Sequence, residues 1–337
     1  MMDVLVCAAP GELKLEQRAQ PTPGSGEVLL RVRRVGICGT DMHIYRGTQP
    51  YLSYPRVMGH ELSGEVVSAP DGGELEAGDH AYVMPYLSCG TCAACAKGKS
   101  NCCMNIRVLG VHMDGGLCEY LAVPVGFVRK VEGVSLDEAA MVEFLAIGAH
   151  AVRRARIEPG QSVLVVGAGP IGIAATLFAK LAGAKVTVLD ARADRLDFCR
   201  DHLGADHIVM LRDETPAALS KLTDGVFFDV VFDATGSAAA MQQGFAYVGH
   251  GGTYVLISVV SADITFSDPE FHKREMSLLA SRNATLEDFD HVLAAIRAGQ
   301  VPTKELNTHS ALLRDLPATL PGWMEPSAGV IKAIVAC

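Results

Sequence analysis

Residues 161–190 read QSVLVVGAGPIGIAATLFAKLAGAKVTVLD. A β-branched apolar run, a glycine-rich turn, an apolar helical stretch and a second run ending in Asp190 follow one another directly. Gly167, Gly169 and Gly172 keep the G-x-G-x-x-G spacing, with Pro170 and Ile171 between the last two. That spacing serves a tight turn, close backbone approach to a pyrophosphate and close helix–strand packing, and it turns a helix N-terminus toward the phosphates. Asp190 comes 18 residues after Gly172. A carboxylate there accepts hydrogen bonds from the adenosine ribose hydroxyls and repels a 2′-phosphate. NAD is therefore predicted over NADP, with Arg192 and Arg195 close enough to soften the preference.

The same alternation continues outward. HIVM (207–210), FDVVFDA (228–234), GTYVLIS (252–258) and MSLLAS (276–281) read as strands, mostly separated by helical stretches. This rhythm predicts a parallel doubly wound sheet. Before it, SLDEAAMVEFLAIGAHAVRRA (135–155) has helical periodicity, with Ser135 as N-cap and Glu138 three residues later. Earlier still, EVLLRVRRVGICGTD (27–41), LSGEVVSAP (62–70) and HAYVMPY (80–86) alternate in strand fashion around glycine-rich turns, predicting a β-rich, barrel-like region. TLEDFDHVLAAIRAGQV (285–301) reads as an amphipathic helix. GVIKAIVA (329–336) reads as a strand outside the alternation, expected to return to the first region. The organisation predicted is α/β: one domain of residues 1–145 and 284–337, with a dinucleotide-binding domain, 146–283, inserted in it.

A formal charge of −9 without blocks of like charge argues against nucleic-acid or anionic-membrane partners. The start, MMDVLVCAAPGELKLEQ, lacks the charged and apolar regions of a secretory signal, and the most apolar segment is broken by Gly, Pro and Lys. A cytoplasmic chain is expected, in which thiols stay reduced.

That expectation bears on CGTCAACAKGKSNCC (89–103), which holds five of the ten cysteines. Cys89, Cys92, Cys95 and Cys103 follow C-x2-C-x2-C-x7-C, and short spacings let thiolates from one loop converge on a tetrahedral ion. Gly90 and Gly98 permit the turns, and Cys102 is out of phase. Four thiolates leave no open position, so structural zinc is predicted. An iron–sulfur cluster, a redox pair and disulfides are the competing readings. Upstream, Cys38 and the pair His60–Glu61 offer thiolate, imidazole and carboxylate, the donor set of an open zinc site. Taken singly, each is an ordinary core or surface residue.

GICGTDMH, MGHELSGEV, the cysteine loop, DGGLCEYLAVP and GAGPIG, in this order, resemble the zinc-dependent medium-chain dehydrogenases over essentially the whole chain. Glu143 matches the polyol, threonine and sugar-acid branch. YPRVMGHE, GVHMDGG and SDPEFHKREMSLLASRNAT are more narrowly similar to the bacterial L-galactonate 5-dehydrogenase group. Phe144 departs from the proline usual after that glutamate.

The resemblance implies a GroES-like catalytic domain carrying an inserted Rossmann domain, with NAD and two zinc ions per chain. Cys38, His60 and Glu61 would hold the catalytic zinc, with Glu143 as alternate ligand or partner of its water. Asp41 would accept from the far nitrogen of His60, Thr40 would bond the substrate oxygen, and His43 would pass the proton to solvent. A homodimer or homotetramer is implied.

For the substrate, His272 and Lys273 are expected in the loop before the last strand of the doubly wound sheet, with Arg282 and Asn283 at its C-terminal end. Cations there would pair with a carboxylate and favour a sugar acid over a neutral polyol, although Lys273 and Arg274 also read as a solvated charge run. The alternatives are sorbitol or threonine oxidation by the same machinery and, in another class, a non-catalytic sensor of the NAD state.

Overall fold

A computed structural model describes all 337 residues. The chain forms two compact units, one of Met1–Glu143 with Leu293–Cys337 and the other of Phe144–Val292.

In the first unit the strand Glu27–Ile37 pairs antiparallel with Glu61–Ser68, Tyr120–Pro124 and Lys332–Ala336. His80–Val83 and Val128–Lys130 extend one side, and Asn307–Leu312 runs parallel to Lys332–Ala336 on the other. Register shifts near Leu29 and Val32 break strict alternation in the central strand, as bulges that sharpen twist do. Leu5, Leu30, Val35, Met58, Leu62 and Val335 are among the core residues.

One strand is shorter than its sequence pattern. Residues 39–41 do not continue it but open the helix Gly39–Arg46. The cause is local: Cys38 takes the N-cap position and the Asp41 carboxylate accepts the Cys38 amide at 2.9 Å. The helical pattern at 135–155 likewise resolves into two helices, Leu136–Ala140 and Val142–Ala155. Ser135 caps the first through a capping box with Glu138.

The second unit holds a six-stranded parallel sheet. Across it lie His207–Met210, Lys185–Asp190, Ser162–Val166, Phe228–Asp233, Val248–Leu256 and Ser277–Ala280. The order reverses between Ser162–Val166 and Phe228–Asp233, the switch point beyond whose carboxyl ends such sheets bind ligands. The unit ends later than residue 283, where the sequence placed its boundary. Asp288, on the helix Leu286–Arg297, is buried against His150 and Arg153 of the helix Val142–Ala155, and those bonds draw residues 284–292 into this unit. No helix is long and apolar enough to cross a membrane.

Candidate active site

The metal ligands predicted from separate motifs meet in the first unit. The donor atoms of Cys38, His60 and Glu61 all lie within 4.8 Å of one another. Cys38 starts a helix, while His60 and Glu61 sit where a turn enters the strand Glu61–Ser68. His60 and Glu61 are buried. Asp41 departs from its expected bond: its oxygens take the amides of Cys38 (2.9 Å) and Gly59 (3.1 Å), and His60 Nδ1 has no hydrogen-bond partner. The carboxylate thus ties together the two turns that carry the ligands, and it acts on the imidazole through charge alone. Burial opposes protonation of His60, yet the anions at Cys38, Asp41 and Glu143 outweigh it and hold its pKa well above the usual value. Such an excess of anionic donors around an orphaned imidazole nitrogen fits a divalent cation.

Two residues beside the ligands went unremarked in the sequence. Lys332 Nζ lies 2.7 and 2.6 Å from the two Glu61 oxygens and 3.3 Å from the Ile37 carbonyl, with both side chains fully buried. Tyr86 donates its hydroxyl to Glu143 Oε1. Glu143 is therefore held on a tyrosine and stands outside the Cys38–His60–Glu61 cluster. Burial raises its pKa to about 7, with His60 pulling the other way. The signal available for Lys332 was a lone cation inside the apolar run GVIKAIVA. Gly36 supplies the space: a Cβ there would stand 2.1 Å from Glu61 Oε2.

Thr40 and His43 lie three residues apart on the helix Gly39–Arg46, hence on neighbouring surface positions. Thr40 is half-buried, and His43 is exposed with Nδ1 2.9 Å from Thr48 Oγ1.

The second thiolate group is complete. Sγ separations are 3.5 Å for Cys92–Cys95 and Cys89–Cys103, and 3.9 Å for Cys92–Cys103. Thiolates ~2.3 Å from a tetrahedral zinc stand about 3.8 Å apart, so the cage has the right size. The amides of Cys89, Met104 and Asn105 donate to its sulfurs, and Cys102 is exposed and outside the group. All ten cysteines are free thiols.

In the second unit, Gly167 follows the strand Ser162–Val166 and the helix Pro170–Leu181 starts at Gly169. A Cβ on Gly172 would stand 1.7 Å from the Gly167 carbonyl oxygen, so only glycine allows this approach of helix to turn. Asp190, at the carboxyl end of Lys185–Asp190, accepts the amides of Ala168 (2.6 Å) and Arg192 (2.8 Å). Arg195 is buried in the helix Ala193–Leu203.

The expected substrate cations divide. Arg282 is exposed just beyond the carboxyl end of Ser277–Ala280, and Asn283 follows with a left-handed backbone (φ 51°). His272 and Lys273 are instead on a short helix, Asp268–Lys273, that precedes this strand. They lie toward its amino end, the opposite end from the glycine turn of the same parallel sheet, and Lys273 Nζ is 3.8 Å from Glu270. Strand direction removes them from the candidate substrate set.

A β-rich unit with one open and one closed metal cage, together with a doubly wound unit bearing a dinucleotide turn, defines a zinc-dependent oxidoreductase. The model of the alcohol dehydrogenase GroES-like domain matches residues 24–133 and that of the zinc-binding dehydrogenases matches 170–298. The chain belongs to the zinc-containing medium-chain dehydrogenase family. It is 42% identical to the L-galactonate-5-dehydrogenase of Escherichia coli K12 over 99% of this chain and 98% of that one. Among solved structures, the alcohol dehydrogenase rspB of Escherichia coli CFT073 with NADH superposes at a TM-score of 0.93 (30% identity, covering 100% and 99%). A zinc-binding dehydrogenase of Sinorhizobium meliloti 1021 bound to NADP superposes at 0.92 (27% identity, 100% and 99%).

Proposed function

We propose that the chain oxidises a secondary alcohol of a sugar acid of the L-galactonate type, using NAD. The observation that carries the chemistry is the convergence of Cys38, His60 and Glu61 into one donor set. The likeness to an L-galactonate-5-dehydrogenase along the full length of both chains supports the substrate class.

Cys38, His60 and Glu61 would hold the catalytic zinc, and the four-cysteine cage the structural one. When bound, zinc supplies a Lewis acid for the alcohol oxygen and the nicotinamide supplies the hydride acceptor. The remaining work belongs to side chains. Thr40 hydrogen-bonds the substrate oxygen. His43, exposed and steadied by Thr48, passes the hydroxyl proton to solvent, a relay for which an imidazole is suited. Lys332 offsets the charge of Glu61 and fixes its carboxylate. Glu143, held by Tyr86, orders water beside the metal. The glycine turn and helix N-terminus bind the pyrophosphate, and Asp190 keeps lone pairs for the ribose hydroxyls. Arg282 pairs with the substrate carboxylate, with Asn283 beside it.

A homodimer or homotetramer is proposed as the working assembly. Ser277–Ala280 is an edge strand with Leu278 exposed, a surface suited to pairing between copies. The cytoplasm is the proposed compartment, since it keeps ten thiols reduced.

The test is nicotinamide absorbance at fixed NAD with L-galactonate, other aldonates, sorbitol, L-threonine and a simple alcohol. Turnover confined to aldonates is expected. Sorbitol or L-threonine turnover with L-galactonate inert would sink the substrate assignment and leave the metal and dinucleotide chemistry standing.

A further inference from the structure

We propose that Asp194 determines dinucleotide specificity by engaging the guanidinium of Arg192, the cation otherwise placed to accept a 2′-phosphate. The proposal rests on the dinucleotide reading of residues 167–190.

Arg192 comes two residues after Asp190 and caps the helix Ala193–Leu203. Its amide donates to Asp190 Oδ1 at 2.8 Å, while Asp190 Oδ2 takes the Ala168 amide at 2.6 Å. Asp190 is thus clamped between the glycine turn and the start of this helix, and Arg192 projects from the same short segment. An arginine near this position is what accommodates a 2′-phosphate where one is bound. Its planar fork suits two phosphate oxygens as well as it suits two carboxylate oxygens.

In this chain the fork is used. Arg192 Nε lies 3.1 Å from Asp194 Oδ1 and Nη2 lies 2.6 Å from Oδ2, a two-pronged pair on one helical turn. The nearby cations do not replace it: Arg195 is buried, and Arg200 is paired with Asp197 and Asp201. Asp190 and Asp194 together balance Arg192 and the buried Arg195; without Asp194 the segment carries a net positive charge toward a phosphorylated ribose, and the fork is open. Asp194 acts through Arg192 and is a positioning residue; it is exposed, so its removal leaves packing intact.

The test is isothermal titration of the full, zinc-replete chain with NADH and with NADPH, for wild type, Asp194→Ala and Arg192→Ala/Asp194→Ala. Asp194→Ala is expected to bind NADPH about three- to fivefold more tightly, the upper scale of one exposed charge pair, with NADH affinity changed by less than about twofold. The gain should vanish in the double variant. Unchanged NADPH affinity in Asp194→Ala would overturn the proposal. So would a gain that survives the double variant, which would assign it to bulk charge, or loss of NADH binding on removing Asp194. Failure of the wild type to bind either dinucleotide would instead overturn the reading of the turn itself.

Discussion

Lys332 and Glu61 form a fully buried ion pair, with Nζ 2.6 and 2.7 Å from the two carboxylate oxygens. The two residues are separated by 271 positions and meet because Lys332–Ala336 and Glu61–Ser68 both pair with Glu27–Ile37. Removing one partner of a buried pair strands the other charge. Lys332→Met is expected to cost about 3 kcal/mol of stability, read from denaturant midpoints of zinc-free protein. An unchanged midpoint would show that Glu61 finds another partner.

The metal roles separate by analysis of zinc content. Glu143 is held by Tyr86 outside the ligand cluster, so Glu143→Gln should keep both zinc ions while lowering kcat. Cys38→Ala should retain only the structural one. Equal losses in the two variants would make Glu143 an essential ligand.

Within the cysteine loop, neighbours should behave differently. Cys103→Ser opens the four-thiolate cage and is expected to release one zinc and make residues 88–104 sensitive to protease, because metal binding there is part of the folding energy. Cys102→Ser, one residue away and exposed, should leave zinc content and proteolysis as in wild type.

Asp288 predicts a pH dependence remote from the metals. Burial alone would raise its pKa, but hydrogen bonds from His150, Arg153 and the Thr285 amide hold it well below the usual carboxylate range. A carboxylate depressed in the folded state stabilises it fully above the unfolded pKa of ~3.9, and that contribution is lost as pH falls toward the folded value. Asp288→Asn should cost about 2 kcal/mol at pH 7. The gap from wild type should narrow below about pH 4, as paired denaturation curves would reveal. A gap constant with pH would mean that shape, not charge, sets the loss.

The features legible in the sequence were those written in consecutive residues. The glycine turn, the four-cysteine spacing and the Ser135–Glu138 cap each depend on neighbours along the chain. Cys38 and His60 were readable only jointly, through the motif set that carries the family resemblance. What escaped was set by direction or by distance. His272 and Lys273 were placed by proximity to a strand, but a parallel strand has two ends and they precede it. Residues 39–41 alternated like a strand until Asp41 turned back on the Cys38 amide. Lys332 could not be tied to Glu61 because pairing between strands so distant in the chain leaves no trace in local pattern.

The position of Lys332–Ala336 also imposes an order on biosynthesis. Cys38, His60 and Glu61 emerge from the ribosome early, but the strand that brings the counter-charge to Glu61 follows only after the whole inserted unit has been made. The inserted unit is continuous and its sheet can close during synthesis, whereas the unit around it must wait. Until then the carboxylate lacks its lysine, and the site that will hold the reactive metal is the last part of the molecule to mature.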